Sequence, residues 1–445
     1  MTLRFSGSGS IVAWGWGGLL AAALSLSAAD YYVATNATPG SPYNTWASAY
    51  TNLQEALDGA AEGDVIRLAG HVFSVTSEVV WTRSGVSLYG GYEATGASPG
   101  NRNPTQWVTV ITRPASGYGR LLNLTGVTNG VLEGVTLSGG RLNIGLGACL
   151  YLSACSNVMV SNVTVVNGYN YSGNGGTLRG AGAYVGSSAD IEFRSCLIAS
   201  NNMAVNAANA MGGGLYSYNS SLRMTSCLFL GNYFTLGGWQ ASYGGGLGLE
   251  GGSGFFRDCR WIGNTAPDGT GTQASRGGGI YVASGTHRFE NGLVVLNRTP
   301  GGWGDGIAVA NGTVTLVNFT VADNPGIGVY RSAGSVSVTN SILWRNGDDV
   351  SGTVTLAYSC IQDGDHRGTN GCLEGDPKFE RGYYLSTSSP CVDAGTGGVS
   401  AAGVAGRTTR ADGTADGDPV DMGWHYAAGL TPDVADFYVA PGGSD

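Results

Sequence analysis

The sequence predicts an all-β protein, a single-stranded right-handed parallel β-helix whose N-terminal end is closed by a short helix. Three observations predict this fold. Glycine makes up 77 of 445 residues without a collagen-like period, and 42% of the residues are hydrophobic, so the chain is rich in turns yet able to build a core. A glycine cluster recurs at separations of 32 and 33 residues. An asparagine closes each of several successive repeats.

The repeat contains two motifs. In the first, three glycines precede an aliphatic residue, as in Gly212–Leu215, Gly244–Leu247 and Gly277–Ile280. In the second, an apolar strand ends at an asparagine, and these residues are Asn201, Asn232, Asn264, Asn297, Asn324 and Asn346. Because parallel strands of neighbouring coils lie about 4.8 Å apart, the six side chains are expected to stack as an asparagine ladder.

Each repeat shows the alternation of two short strands joined by a turn. Leu222 and Met224 alternate with polar neighbours, and Cys227 and Phe229 resume the alternation after a shift of one residue. Parallel crossovers are right-handed in nearly all proteins, which sets the hand of the coil. About seven coils are expected to enclose one continuous core.

The two ends of the chain differ from the repeats. Residues 1–29 are predicted to be a cleaved signal peptide, because an apolar stretch there ends in small residues. Residues 30–80 are expected to form an N-terminal strand and helix cap, with the amphipathic stretch Asn52–Ala61 as the helix and Asp64–Leu68 as the following strand. The other expected regions are coils over 81–346, a C-terminal cap over 347–426, and a linker with the start of a second β-helix unit over 427–445.

Export makes the eight cysteines informative, because an oxidising compartment permits disulfides. Three cysteines occupy one position of the repeat and are expected to form a buried thiol ladder: Cys196, Cys227 and Cys259. Cys149 and Cys155 are one candidate disulfide pair. The candidates for a second disulfide, with the pairing left open, are Cys360, Cys372 and Cys391.

The motifs resemble those of known secreted β-helices. Phe229–Asn232 and Trp261–Asn264, together with the glycine clusters, resemble the repeats of polymorphic outer-membrane proteins. The C-terminal region is similar to the module called choice-of-anchor Q through Asn340–Trp344, Tyr358–Ile361, Asp376–Pro377, Ser389–Gly395 and Val420–Gly423. The resemblance implies a pectin-lyase-like fold, export, and display at a cell surface with a role in adhesion.

The loops that leave each asparagine corner are expected to project side by side and to offer aromatic rings to a sugar. The candidates in these loops are Tyr169, Tyr171, Tyr233, Trp239, Tyr243 and Trp303. A second row, expected to face outward beside them, consists of Tyr151, Tyr184, Tyr216 and Tyr281. The alternative use of such rings is to pack over their own loops and shield the sheet.

The alternative to a binding protein is a polysaccharide lyase or glycoside hydrolase with its site in a loop-lined groove. A hydrolase needs two carboxylates roughly 5–9.5 Å apart, and the candidate pairs on neighbouring coils are Asp305 with Asp323 and Asp258 with Glu290. Charges of both signs along one stripe favour a salt-bridged face instead. No cofactor or metal is expected, and the oxygen-rich grouping that would best suit calcium is Asp412, Asp416, Asp418 and Asp421.

The residues therefore favour a non-catalytic, exported or cell-surface module that binds glycans or mediates adhesion. Its partner would be a polysaccharide or a cell-surface glycan, met outside the cell or at an outer-membrane surface. A net charge of −9 leaves no electrostatic footprint for nucleic acid. After the signal peptide, no apolar stretch has the length that a membrane span needs.

Overall fold

The computed structural model describes residues 28–173, 176–205, 210–236, 241–268, 274–364, 367–380 and 382–428. These residues wind as a right-handed parallel β-helix, which confirms the predicted fold class. The predicted signal peptide, Trp239, and the segment expected to begin a second unit lie outside the described residues, apart from a few residues at their edges. Among the described residues, no helix is both long and apolar enough to cross a membrane.

Each coil contributes strands to three faces. The strands of face 1 are Asp30–Val33, Val65–Ala69, Ser87–Tyr92, Val131–Glu133, Ser156–Ser161, Ala189–Arg194, Ser221–Thr225, Ser253–Arg257, the first halves of Thr286–Val295 and Thr313–Ala322, Ser335–Thr339 and Thr355–Ala357. The strands of face 2 are Val72–Ser74, Thr109–Thr112, Val135–Ser138, Thr164–Val166, Leu197–Ala199, Leu228–Leu230, Arg260–Ile262, the second halves of the same two long strands, Ile342–Trp344 and Cys360–Ile361.

Face 3 closes the coil and has ten strands, so the helix is longer than the seven coils expected. Its strands are Val79–Trp81, Leu122–Thr125, Leu150–Ser153, Ala183–Gly186, Leu215–Tyr218, Leu247–Glu250, Ile280–Val282, Ile307–Val309, Ile327–Arg331 and Asp348–Ser351. The parallel pairing also extends beyond the expected limits of 81–346. It begins where Asp30–Val33 pairs with Val65–Ala69 and ends where Ile342–Trp344 pairs with Cys360–Ile361.

One continuous core fills the interior of the coils, because alternate residues of all three faces point inward. Large rings stack along it from coil to coil. The Phe229 and Trp261 centroids are 5.5 Å apart, and those of Phe256 and Phe289 are 4.4 Å apart. The helix Leu53–Gly59 closes the N-terminal end of this core with Leu53, Ala56 and Leu57.

The asparagines lie at the corner that follows face 2. In each of five steps the Nδ2 of one asparagine donates to the Oδ1 of the next, over 2.8 to 3.2 Å. The backbone N–H of the first asparagine in each step also donates to the same Oδ1. One side-chain oxygen therefore accepts both the backbone and the side-chain hydrogen bond of the neighbouring asparagine. Asn346 ends the ladder by donating to Asp349 Oδ1 over 2.8 Å. Burial raises the pKa of Asp349 to about 6.

The C-terminal segment, residues 373–428 and called the strap below, does more than close the end as expected. It runs back along the outside of face 2, where Tyr383, Tyr384 and Trp424 cover Leu293 and Val295. Polar contacts fix its course, since Asn291 and His425 exchange two hydrogen bonds of 2.7 and 2.9 Å. The strap contains the helix Val399–Ala402 and the antiparallel strands Arg407–Thr408 and Tyr426–Ala427.

Candidate functional site

The loops that follow the asparagine corners pair with one another as short parallel strands. The outer loop sheet consists of Arg141–Asn143, Tyr169–Ser172, Asn202–Val205 and Tyr233–Leu236. The inner loop sheet consists of Leu178–Arg179, Ala210–Met211 and Ser242–Tyr243. Between the two sheets, Met203, Phe234, Leu178 and Ala210 form a second, small core. The coil repeat holds the loops at strand spacing, which lets their backbone groups pair.

The other side of the outer loop sheet carries an aromatic and polar row. Side chains alternate along a strand, so the neighbours of buried Met203 and Phe234 point away from the small core. The strand register aligns one such row: Arg141, Tyr169, Asn202 and Tyr233. Tyr233 is 41% exposed. The Tyr169 and Tyr171 rings are nearly parallel, with centroids 6.5 Å apart and planes at 8°.

Polar groups and a further ring complete this surface. The Arg141 guanidinium lies 4.8 Å from the centroid of Tyr169 and 5.2 Å from that of Tyr118, which is 55% exposed. Asn202 Oδ1 accepts a hydrogen bond of 3.2 Å from the Thr235 hydroxyl. Arg141, Tyr118 and Asn202 were absent from the sequence-based candidates. The repeat could have revealed Arg141, because it follows a glycine one coil before Tyr169, whereas Tyr118 has no repeat equivalent.

The second tyrosine row faces away from the main core, as expected, but its rings are covered and so are not offered to a ligand. Tyr184, Tyr216 and Tyr281 are 9%, 2% and 6% exposed, and Tyr151 is half-buried. The rings do stack along the coils, with centroids 5.2 Å apart for Tyr151 and Tyr184 and 6.0 Å apart for Tyr184 and Tyr216. The loops fold back over this row and remove it from water, which is the alternative use of aromatic rings.

The cover over the row combines cations and further rings. Arg120 lies 4.3 Å from the Tyr151 centroid, and Arg179 lies 5.2 Å from that of Tyr216. Tyr243, expected to bind ligand, instead packs 4.9 Å from Tyr281. The Tyr216 hydroxyl donates to Glu250 inside this layer, and burial raises the pKa of Tyr216.

Trp303 lies apart from the outer loop sheet. The backbone of Trp303 pairs with that of Arg276 at the end of the inner loop sheet, and the centroids of the Trp303 and Tyr330 rings are 5.1 Å apart. The ring is 44% exposed. The expected aromatic candidates therefore divide into the exposed Tyr233 with the half-buried Tyr169 and Tyr171 on the outer loop sheet, a covered group, and an isolated tryptophan.

The expected catalytic pair Asp258 and Glu290 lies on neighbouring coils but is engaged in ion pairs. Asp258 binds Arg407 of the strap at 2.8 Å and accepts a 2.7 Å hydrogen bond from Asn291. Glu290 binds both Arg257 and Arg288. Burial acts to raise the pKa of Glu290, but the hydrogen bonds from the two arginines outweigh it and hold that pKa below its usual value. A general acid needs the opposite shift.

The other expected pair, Asp305 and Asp323, binds two different sets of partners. Asp305 is 5% exposed and accepts a 2.7 Å hydrogen bond from the backbone N–H of Gly326. Asp323 receives two hydrogen bonds of 2.7 Å from Arg345 and one of 2.9 Å from the Tyr383 hydroxyl of the strap. Each carboxylate thus fixes a loop or the strap to the coils.

The structure gathers only part of the expected calcium grouping. Asp416 and Asp421 lie together with Asp393, with oxygens within 4.8 Å of one another. Those oxygens already bind protein groups, since Asp416 accepts from His425 Nε2 at 2.8 Å and Asp421 from the Thr409 hydroxyl at 2.5 Å. Asp412 and Asp418 lie elsewhere, because Asp412 pairs with Arg410 and Asp418 accepts from the Val399 backbone.

All eight cysteines lie in the described part of the chain, and all are buried free thiols in this structure. Cys196, Cys227 and Cys259 follow one another at the corner between faces 1 and 2, where their side chains interact. Cys149 and Cys155 point to different partners, as their thiols donate to Val166 and Leu124 carbonyls.

The outside of face 1 holds a shallow groove of about 350 Å³. Asp190, Glu192, Arg223 and Phe255 are among its lining residues. Glu192 pairs with Arg194 at 2.7 Å, while the Arg223 guanidinium lies 4.8 Å from the Phe255 centroid. The predicted salt-bridged stripe accounts for most charges on this face.

No protein-family model matches the chain, and no curated protein matches its sequence. Among solved structures, the chain is similar to the pectate lyase Pel9A, with a TM-score of 0.47 and 13% identity over 84% of this chain and 93% of that one. It is also similar to a polygalacturonase from Erwinia carotovora ssp. carotovora, with a TM-score of 0.30 and 13% identity over 74% and 97% of the two chains.

Proposed function

We propose that this chain is an exported or cell-surface module that binds a glycan through the outer loop sheet without cleaving it. The observation that supports this proposal is the group of three tyrosines on one side of that sheet, where Tyr233 is exposed and Tyr169 and Tyr171 are half-buried. Aromatic faces offer an apolar platform on which sugar rings stack, while Arg141 and Asn202 supply hydrogen-bond groups beside them. A row that runs across successive coils suits an extended polysaccharide.

The state of the carboxylates also favours binding over hydrolysis. Hydrolysis requires one carboxyl group that can donate a proton and a second that is free to act as base or nucleophile. Asp258, Glu290 and Asp323 are each held by arginine. Burial raises the pKa of Asp305, as a general acid requires, but its expected partner Asp323 is bound by both Arg345 and Tyr383 and is not free to act as base or nucleophile. The proposed binding needs no cofactor.

Export and surface display form part of the same proposal. The apolar stretch before Ala29 supports cleavage of a signal peptide, and the glycine and asparagine motifs support a relationship to polymorphic outer-membrane proteins and to the choice-of-anchor Q module. N-terminal sequencing of protein recovered outside the cytoplasm tests cleavage, with Asp30 as the expected first residue. A mature protein that retains residues 1–29 would contradict it.

A polysaccharide lyase or glycoside hydrolase remains the second candidate, and the groove on face 1 favours it. Asp190 is exposed there beside Glu192, and Arg223 lies one coil further along. In this alternative the groove would hold the sugar chain and these groups would act on it. The variant Asp190→Asn should then abolish product formation.

The experiment that tests the proposal is a glycan-array screen with the full chain, followed by mass spectrometry of each bound polysaccharide after incubation. We expect binding and intact polysaccharide. Binding should fall for Tyr233→Ala and persist for Tyr218→Ala, a ring of similar exposure on face 3. Release of shortened or unsaturated products would overturn the non-catalytic assignment and favour the groove on face 1.

A further inference from the structure

The strap meets the last coil of the solenoid at two cysteines. Cys360 lies on the final strand of face 2, and Cys391 lies on the strap. Both side chains are 0% exposed and belong to one cluster with Ile342, Leu385 and Met422. Their thiols lie close enough to interact, and the Cys360 thiol also donates to the Gly375 carbonyl over 3.1 Å. The two sulfurs therefore face each other across the contact between strap and solenoid.

Strand alternation separates these two cysteines from the third one nearby. On the strand Cys360–Ile361, Ile361 points into the main core while Cys360 points outward to the strap. Cys372 belongs to the main core, on the inner side. Of the three candidate pairings that the sequence left open, only Cys360 with Cys391 places both thiols in the same cluster.

We propose that Cys360 and Cys391 form a disulfide in the exported protein, which covalently fastens the strap to face 2. The two thiols release two protons and pass two electrons to a disulfide-bearing protein oxidant of the exporting compartment, whose own disulfide becomes a dithiol. The new S–S bond closes a loop of about 30 residues. This inference rests on the export that forms part of the proposed function.

The bond must form while the strap is docking. Both thiols are 0% exposed once the strap has docked, so an oxidant cannot reach them, and the interaction with Cys360 and burial hold the pKa of Cys391 well above its ordinary value. Folded, reduced protein should consequently oxidise slowly, whereas protein that refolds in a glutathione redox buffer should form the bond readily. The other six thiols, including those of Cys196, Cys227 and Cys259, lie inside the coils or on the interior side and should stay reduced.

The test counts alkylated cysteines and maps cross-linked peptides without reduction. Protein recovered outside the cytoplasm, denatured and alkylated, should carry six modified cysteines of the eight in the sequence, with a reducible peptide pair that joins Cys360 to Cys391. The variant Cys372→Ser should keep the cross-link, and Cys391→Ser should lose it. Eight modified cysteines, or a cross-link that requires Cys372, would overturn the inference.

Refolding in vitro separates this inference from the proposed export. Reduced protein purified from cytoplasm and refolded in a glutathione buffer should acquire the same single cross-link, whatever its natural location. Failure to form it there would overturn the disulfide alone. Formation of the cross-link in vitro together with a retained signal peptide in cells would overturn export and leave the geometry intact.

Discussion

Removal of one amide from the middle of the asparagine ladder should cost a large share of the protein's stability. Asn232 Oδ1 accepts from the Asn201 backbone N–H at 3.2 Å and from Asn201 Nδ2 at 2.8 Å. Its Nδ2 donates to the Ile198 carbonyl at 2.8 Å and to Asn264 Oδ1 at 2.9 Å. In Asn232→Ala, two donors of Asn201 and the Ile198 carbonyl lose these partners at a corner with no exposure to water.

Each buried polar group without a partner costs about 1–3 kcal/mol, and a trapped water would recover part of that. We therefore expect Asn232→Ala to lower the free energy of unfolding by about 3 kcal/mol. Urea denaturation followed by circular dichroism measures it. The matched control is Asn202→Ala, whose half-buried side chain has one hydrogen bond, to Thr235, and should change stability by less than about 1 kcal/mol. Equal midpoints for wild type and Asn232→Ala would refute the reasoning.

Three further predictions concern the ladder's end, the covered row and the strap. Because burial raises the pKa of Asp349 to about 6, the folded state holds the proton of this carboxyl group more tightly than the unfolded chain does. Wild type should therefore lose about 2 kcal/mol of stability relative to Asp349→Asn as the pH rises from about 4 to about 6. Stability curves that stay parallel over this pH range would contradict the prediction. Tyr216→Phe removes the buried hydroxyl that donates to Glu250, so this variant should lose about 1–2 kcal/mol of unfolding free energy in denaturation experiments, with unchanged glycan affinity. A loss of glycan affinity without a loss of stability would argue against a covered row. Arg407→Ala leaves the largely buried Asp258 carboxylate without the cation that ties the strap to the coils. The strap should then detach more often, and limited proteolysis within residues 373–428 should become about tenfold faster. An unchanged rate would show that the ion pair does not hold the strap.

The coil architecture was predictable because it repeats. Asn201, Asn232 and Asn264 recur at a nearly constant separation, and only a stacked corner explains a polar residue at that place in an apolar repeat. Period-two alternation around Cys227 likewise predicted two strands and a bend between them. Such signals depend on neighbours within one coil, which the sequence displays directly.

Contacts between distant segments were not predictable in the same way. Asp258 was a reasonable catalytic candidate from the sequence, because its partner Arg407 lies 149 residues away along the chain and reaches it only through the fold of the strap. Tyr216 and Tyr233 occupy equivalent-looking positions near loops, yet one is 2% and the other 41% exposed. That difference arises from the inner loop sheet folding over face 3. Loop pairing has no periodic signature of its own, so the sequence left both uses of the rings open.

The measurement that tests the central claim most directly is a calorimetric titration of the strongest array ligand into wild type, Tyr233→Ala and the control Tyr218→Ala. Loss of one stacked ring should weaken binding about tenfold in Tyr233→Ala, from about 1–2 kcal/mol of contact energy. Tyr218→Ala should bind as wild type does, and the recovered ligand should be intact. Equal affinity for all three proteins, or a shortened ligand, would contradict the assignment of the outer loop sheet as a non-catalytic glycan-binding surface.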